Sequence, residues 1–370
     1  MRDVAIVGFA QSPSHPDTVH NEVEILTPVI AEAVKRSGIP RQEIGFICSG
    51  SCDYLTGVPF SFVSALDAVG AWPPVRESHV EMDGAWALYE AWVRLQVGDV
   101  DSALVYGFGK SSVGDVRDIS VAQLDPYYVA PLWPDSVSIA ALQARALIEA
   151  LTPGPSPGHP AQPQAPGEGR TRYTERDFAE VVARNLKNAK RNPLAQVTGV
   201  FDVEMLLQAP YDVSPLRGHD CPPVSDGAAA IVLATGDLAR AVSARPAWIS
   251  GIDHRIEAHS LGARDLAKSP SAALAAEKAG VARGRIDVAE LHAPFSHQEL
   301  ILREAMGLGD EVEINPSGGA LAANPIMATG LIRIGEAASR VTSGTAKRAL
   351  GHATSGPCLQ QNLVCVMEGR

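Results

Sequence analysis

A pattern that occurs twice is the feature that most constrains this chain. Ala31-Glu32-Ala33-Val34-Lys35-Arg36-Ser37-Gly38-Ile39-Pro40-Arg41-Gln42-Glu43-Ile44 returns as Ala273-Leu274-Ala275-Ala276-Glu277-Lys278-Ala279-Gly280-Val281-Ala282-Arg283-Gly284-Arg285-Ile286. Gly38 matches Gly280, Arg41 matches Arg283 and Ile44 matches Ile286. Each copy predicts an amphipathic helix closed by a glycine, the residue that takes the left-handed conformation without strain, followed by a turn into a buried strand. A second echo follows, Val80-Glu81-Met82-Asp83-Gly84-Ala85 against Val312-Glu313-Ile314-Asn315-Pro316-Ser317-Gly318-Gly319-Ala320. In both, an apolar strand ends in small residues and feeds a helix, which aims unpaired helix N–H groups at whatever lies in front of them. Two similar strand-helix halves are expected, over residues 1–240 and 241–370.

Strand-like runs at 4–9, 44–48, 103–106, 228–234, 247–252, 288–291 and 363–367 alternate with helical stretches, which predicts an α/β fold. Between the halves, Thr152-Pro153-Gly154-Pro155-Ser156-Pro157-Gly158-His159-Pro160 opens a stretch to about residue 170 with too much proline and glycine for helix or strand. It reads as a surface insertion, with His159 solvated. With 370 residues, 46% of them hydrophobic, the chain can bury one large core or two medium ones. A net charge of −11 without a Lys/Arg block gives no electrostatic footprint for nucleic acid or an anionic membrane, so neither is an expected partner. The start, Met1-Arg2-Asp3-Val4-Ala5-Ile6-Val7-Gly8, lacks the charged and apolar regions of a signal peptide. No apolar run approaches the roughly 20 residues that span a bilayer, so the cytoplasm is the expected compartment. Five cysteines, Cys48, Cys52, Cys221, Cys358 and Cys365, form an odd and sparse set that reads as reduced, buried thiols. Cys48 and Cys52 have no second ligand pair at zinc-site spacing, so no metal is expected.

Asn315-Pro316-Ser317-Gly318-Gly319-Ala320-Leu321-Ala322-Ala323-Asn324-Pro325 resembles the thiolase signature Asn-Pro-Ser-Gly-Gly-Ala-Leu-Ala-x-Gly-His-Pro, with Asn324 where the histidine stands. Cys221-Pro222-Pro223-Val224-Ser225-Asp226-Gly227-Ala228-Ala229-Ala230 is similar to the strand entry Cys-Pro-x-Ser-Asp-Gly-Ala-Ala-Ala of the same superfamily. The segment from Tyr173 to Asn192-Pro193 looks like the family helix that ends in Asn-Pro. Together these matches run nearly the whole length of the chain and resemble the sterol-carrier-protein-type and lipid-transfer thiolases in particular. The resemblance implies the thiolase fold, five layers α-β-α-β-α from two similar halves, and a homodimer paired along edge strands.

The catalytic set departs from that pattern. The nucleophilic cysteine belongs at the entry to the first-half helix, where Gly84 is read in its place. His-Asp-Cys-Phe of the sterol-carrier type appears as His292-Ala293-Pro294-Phe295, which keeps the histidine and puts proline at the acid/base cysteine. Ala349-Leu350-Gly351-His352 resembles Ala-Leu-Gln-His of the same subgroup and retains a second histidine. Claisen cleavage needs a nucleophile on the ketone, whereas retro-aldol cleavage of a β-hydroxyacyl-CoA needs a base at the hydroxyl, donors at the enolate oxygen and an acid for the carbanion.

The expected site therefore assigns His292, with Asn324, to the thioester carbonyl and His352 to acid/base work, the two histidine roles being interchangeable. Asp83 or one of Tyr127 and Tyr128 completes the network, Asp83 reading equally as a helix cap and the tyrosines as packing over a pocket or at an interface. Gly84, Ser317, Gly318 and Gly319 are the expected substrate-binding positions. Cys358, in Ser355-Gly356-Pro357-Cys358, is a possible acid/base near the family's C-terminal cysteine motif, or a buried strand residue. His219, His254 and His259 have no motif support, and His297, five residues after His292 and off its face if that segment is helix, reads as peripheral. A CoA thioester is expected as substrate, with no tightly bound cofactor. Similarity to the cysteine-less aldolases of steroid side-chain breakdown implies a bulky acyl group and a small OB-fold, zinc-ribbon partner in a hetero-oligomer. Two further readings stay open: an acyltransferase that uses another cysteine, and a non-catalytic acyl-CoA or lipid-binding subunit.

Overall fold

The computed structural model describes residues 2–70, 75–150 and 173–370, so the insertion expected at 152–170, with His159, lies outside the described residues. The strands are β1 (Val4–Gln11), β2 (Phe46–Gly50), β3 (Glu77–Val80), β4 (Ser102–Lys110), β5 (Tyr211–Val213), β6 (Leu216–Arg217), β7 (Asp226–Thr235), β8 (Ala247–Ile256), β9 (Val288–Glu290), β10 (Glu313–Ile314), β11 (Arg348–Ser355) and β12 (Gln361–Glu368). β5 and β6 pair with each other, and the other ten join in the order β10-β9-β11-β12-β8-β1-β7-β4-β2-β3.

That order is one array written twice. β3, β2 and β4 run parallel, and β7 and β1 follow antiparallel. β10, β9 and β11 run parallel in the same way, and β12 and β8 follow antiparallel. The arrays meet where Ala5 pairs with Trp248 and Ile6 with Ala247.

Strand periodicity divides the side chains into three cores, because successive residues of a strand face opposite ways. Val4 and Ile6 of β1, Ile231 of β7, and Leu363 and Cys365 of β12 face a central core built with Leu88 and Leu331 of the helices Gly84–Gln96 and Thr329–Thr342. Ala5, Leu104 and Val232 face the opposite way onto Leu26 and Ile30 of the helix Glu22–Ser37. Val364 and Val366 face a third core with Ala272 of the helix Pro270–Ala279, Phe178 of Glu175–Ala189 and Ile301 of Ser296–Met306. Helix, array, helix pair, array and helix make five layers, as the thiolase resemblance implies.

The repeated helix is present in both halves. Asn21 closes a capping box at the start of Glu22–Ser37, and Gly38 ends it at φ 70°. Ser269 caps Pro270–Ala279, and Gly280 ends it at φ 79°. The first strand of each array also carries a glycine that lets this helix approach. A Cβ on Gly8 would lie 2.4 Å from the Ala33 carbonyl oxygen, and one on Gly251 would lie 2.2 Å from that of Ala279.

The strand runs expected from the sequence are all present, most of them longer than expected. β11 was not among them: its Gly351, His352 and Thr354 interrupt the apolar run that marks a doubly buried strand. Among the described residues no helix is long and apolar enough to cross a membrane.

Candidate active site

Parallel strands place their carboxyl ends together, and crevices form there. β9 ends two residues before His292, β4 leads into Ser111, and β3 leads through Glu81 and Met82 to Asp83. A cavity of about 260 Å³ opens at these ends, with Asp83, His292, Asn324, Thr354 and Cys358 in its lining. Most of the remaining wall is hydrocarbon, including Leu124, Ile139, Ile326 and Met327.

His292 is 7% exposed, and its Nδ1 accepts a 3.3 Å hydrogen bond from the Thr354 backbone N–H. An acceptor Nδ1 leaves the proton of a neutral imidazole on Nε2. Burial pushes the His292 pKa down to about 3, the nearby His352 and Arg333 push the same way, and the side-chain hydrogen bond to Asn324 opposes them. At neutral pH the ring is therefore an uncharged donor. Asn324 is itself held, with its N–H on the Ser225 hydroxyl at 3.0 Å and its side-chain oxygen 3.0 Å from the Thr329 hydroxyl.

Asp83 stands at the N-termini of both central helices. Its Oδ1 accepts from the N–H of Ala85 at 2.9 Å and of Leu331 at 3.0 Å, and its Oδ2 accepts from Gly330 at 2.8 Å. Two helix N-termini favour an anion here. Burial nevertheless outweighs the three hydrogen bonds and raises the carboxyl to about 6. The carboxylate is thus a cap for two helices and a cavity group at once.

The backbone is drawn tight beside it. The Gly84 N–H donates to the Met327 carbonyl at 2.8 Å, and Met327 sits at φ 77°. A Cβ on Gly84 would lie 2.9 Å from Leu331 Cδ2 and 3.2 Å from Gly107 Cα, and one on Gly109 would lie 1.8 Å from the Ile326 carbonyl oxygen. Glycines at 84, 107 and 109 form the bed on which the Ile326-Met327 segment lies. Gly84 has no room for a side chain and does not line the cavity.

The other expected site residues lie elsewhere. His352 is fully buried outside the cavity lining, with its Nε2 3.0 Å from Asn362 Oδ1. The Asn362 amide nitrogen donates to Ser271 and to the Leu359 carbonyl, so Oδ1 is the acceptor and Nε2 holds the proton. Nδ1 of His352 has no partner among the described residues, and burial pushes the ring down to about 4. His352 shares a strand face with Leu350 and Thr354, which points it into the interior. Ser317 gives its N–H and hydroxyl to Glu290, at 2.9 and 2.6 Å, and Glu290 pairs with Arg333 at 3.0 Å. Gly318, at φ 105°, packs where a Cβ would meet the Ala189 Cβ at 2.6 Å, and Gly319, at φ 66°, lies against Asn315. The signature segment 315–319 is thus a buried turn over an ion pair, outside the cavity lining. Tyr127 and Tyr128 are 81% and 80% exposed, their backbone N–H groups bond to Asp125, and neither lines the cavity.

Cys358 is in the cavity wall, but burial pushes its thiol up to about 12. Sequence reasoning missed Thr354, which fixes the His292 tautomer through its backbone and so leaves no side-chain signal. It also missed the buried Glu290–Arg333 pair, in which burial raises the Glu290 carboxyl against the pull of Arg333. His297, set aside for its spacing, is fully buried with its Nε2 3.2 Å from Gln143 Oε1. Its helix begins only at Ser296, so helical spacing from His292 does not apply.

No family model matches the chain. Over 96% of its length it is 24% identical to the acetyl-CoA acetyltransferase of Methanothermobacter thermautotrophicus, 95% of which is covered. Over 73% of its length it is 27% identical to bovine sterol carrier protein 2, of which it spans about half (54%). Among solved structures, the "Ltp2-ChsH2(DUF35) aldolase" superposes with a TM-score of 0.79 at 18% identity, covering 99% of this chain and 98% of that one. Fold, repeat, motifs and these likenesses agree on a thiolase-like chain, similar to the lipid-transfer, sterol-carrier-protein-type subgroup of that superfamily.

Proposed function

We propose that this protein cleaves a β-hydroxyacyl-CoA by a retro-aldol reaction without a covalent intermediate, releasing a ketone or aldehyde and a shorter acyl-CoA. The observation that carries the reading is His292, a neutral imidazole fixed by Thr354 and paired with Asn324 in an apolar cavity. Burial raises all five thiols above their ordinary range, Cys48, Cys221 and Cys358 to about 12, so none is a ready nucleophile.

In this reading Asp83 takes the β-hydroxyl proton. The Cα–Cβ bond breaks, the hydroxyl oxygen becomes the carbonyl of the leaving ketone or aldehyde, and the electron pair passes to the thioester as an enolate. His292 and Asn324 hold the enolate oxygen, and Asp83 returns its proton to the α-carbon. A donor aimed at such an oxygen in a dry site lowers the barrier by about 3 kcal/mol. His352, itself neutral because burial pushes it down to about 4, takes no proton in this reading. The substrate is the CoA thioester, with no other cofactor.

Product analysis tests the reading. A β-hydroxyacyl-CoA incubated with the protein, and the carbonyl product captured as its hydrazone, is expected to yield product with no free CoA added. Cys358 in the cavity wall and the acetyltransferase relatives favour a second reading, acyl transfer through that thiol. Cleavage of a β-ketoacyl-CoA only with free CoA, blocked by iodoacetamide at Cys358, would establish it instead.

The assembly is part of the proposal. Among the described residues β3 lies at an edge of the sheet with no strand beyond it, and Tyr54, Phe60 and Val63, earlier in the same half, are exposed. An open strand edge with apolar side chains invites a second copy, and we assign the homodimer contact there. The name of the Ltp2-ChsH2(DUF35) aldolase joins two proteins, which supports a partner for this chain, and we propose one of the acyl-CoA-binding OB-fold, zinc-ribbon kind.

A further inference from the structure

A helix that walls an apolar cavity is expected to turn an apolar i, i+3, i+4, i+7 stripe toward it. Here the helix Val116–Ala122, with Gln123 at its end, presents Val116, Ile119, Ser120 and Gln123 to the cavity. That is the full stripe, and half of it is polar. Among the described residues neither the Ser120 nor the Gln123 side chain is spent on a hydrogen bond. Ser111 lines the same cavity just before this helix, is 2% exposed, and its hydroxyl has no partner. The adjacent Ser112 shows that the segment can satisfy a hydroxyl, since Ser112 donates to Asp226.

A pure hydrocarbon ligand would strip water from the half-buried Ser120 and leave it and the buried Ser111 hydroxyl uncompensated, which costs free energy for each, while the exposed Gln123 stands at the rim where its amide can turn in to a polar ligand or out to water. A ligand with its own oxygen in that part of the cavity would pair them. The His292, Asn324 and Asp83 groups are committed to the thioester and the β-carbon in the reading above, and none of the three polar wall residues bonds to them. We infer that the acyl group is a hydrocarbon skeleton bearing a further hydroxyl or ketone oxygen, beyond those of the thioester and the β-carbon, read by Ser111, Ser120 and Gln123. This rests on the acyl-CoA reading of the cavity.

Equilibrium binding to the full chain, read by calorimetry, separates the two. The probes are dodecanoyl-CoA and its 8-, 10- and 12-hydroxy derivatives. At least one hydroxylated thioester is expected to bind about tenfold more tightly than the parent, the equivalent of one net hydrogen bond. The double variant Ser120→Ala/Gln123→Leu, altered only on the helix surface, is expected to lose the preference by binding the parent better. If no derivative exceeds the parent by more than roughly twofold, or if the preference survives the double variant, the inference is wrong while the acyl-CoA reading stands. If none of the four thioesters binds, the acyl-CoA reading fails and takes the inference with it.

Discussion

The two halves share a strand order and a glycine under the first helix, yet they join strand to central helix in different ways. In the first half β3 reaches the helix Gly84–Gln96 through residues 81–83 alone. In the second half β10 reaches Thr329–Thr342 through residues 315–328. The short junction leaves Asp83 in the cavity, bound to both helix N-termini. The long one turns its first residues inward, where Asn315 bonds to the Leu291 N–H at 2.6 Å and to Glu299 at 2.9 Å, and brings only its far end, Asn324 to Met327, to the cavity. One junction is compact and supplies a carboxylate. The other spends a buried turn to place an amide beside His292.

The largest expected effect lies on the second-half side of this comparison. His292→Ala and Asn324→Ala are each expected to lower kcat/KM for carbonyl release by roughly 100-fold or more while the melting temperature stays close to that of the parent. Loss below about threefold in both would detach the long junction from the chemistry. Gly84→Cys probes the short junction. If the close approach to Leu331 and Gly107 is as drawn, a thiol there costs about 1–3 kcal/mol in chemical denaturation and gives no acyl-enzyme. A stable variant with thiolase activity would show the junction to be open rather than closed.

A pH series sharpens the contrast between cavity and interior histidines. His297 is pushed down to about 3 by burial alone, below its unfolded value of 6.5, so the unfolded chain binds the proton first. Its stabilising contribution is present above pH 6.5 and is lost as pH falls toward 3, at up to about 1.4 kcal/mol per pH unit. Asp83, raised to about 6, works in the opposite sense and is destabilising above its folded value. His297→Asn is therefore expected to flatten the acid decline of stability below pH 6.5, measured by urea midpoints; an unchanged slope would mean the ring is not buried neutral. The smallest effect is expected at Tyr128→Ala, within about 0.5 kcal/mol in stability and twofold in activity, because the side chain is solvent-exposed and outside the cavity.

Much of the fold is legible in the sequence because its signals are local. Gly38 and Gly280 end helices, and β7 is apolar at nearly every position because both its faces are buried. β11 lacks that signal, since its His352 and Thr354 are placed by bonds to Asn362, Gln361 and His292 that its own run of residues does not contain. The site divides in the same way. His292, Asn324, Asp83 and Cys358 are readable by motif and do meet in one cavity. His352 and Ser317 carry equally good motif matches, but their side chains point into the interior. In an array buried on both faces, polarity does not say which face a residue takes. Thr354 acts through its backbone and is silent in any sequence.

The central claim is that carbon-carbon cleavage proceeds here without a covalent acyl-enzyme. Intact-protein mass spectrometry on samples quenched during turnover of a β-hydroxyacyl-CoA tests it most directly. The account predicts the unmodified mass throughout, with carbonyl product accumulating at the same rate after iodoacetamide treatment. An acyl adduct on any cysteine, or turnover abolished by alkylation, would contradict it.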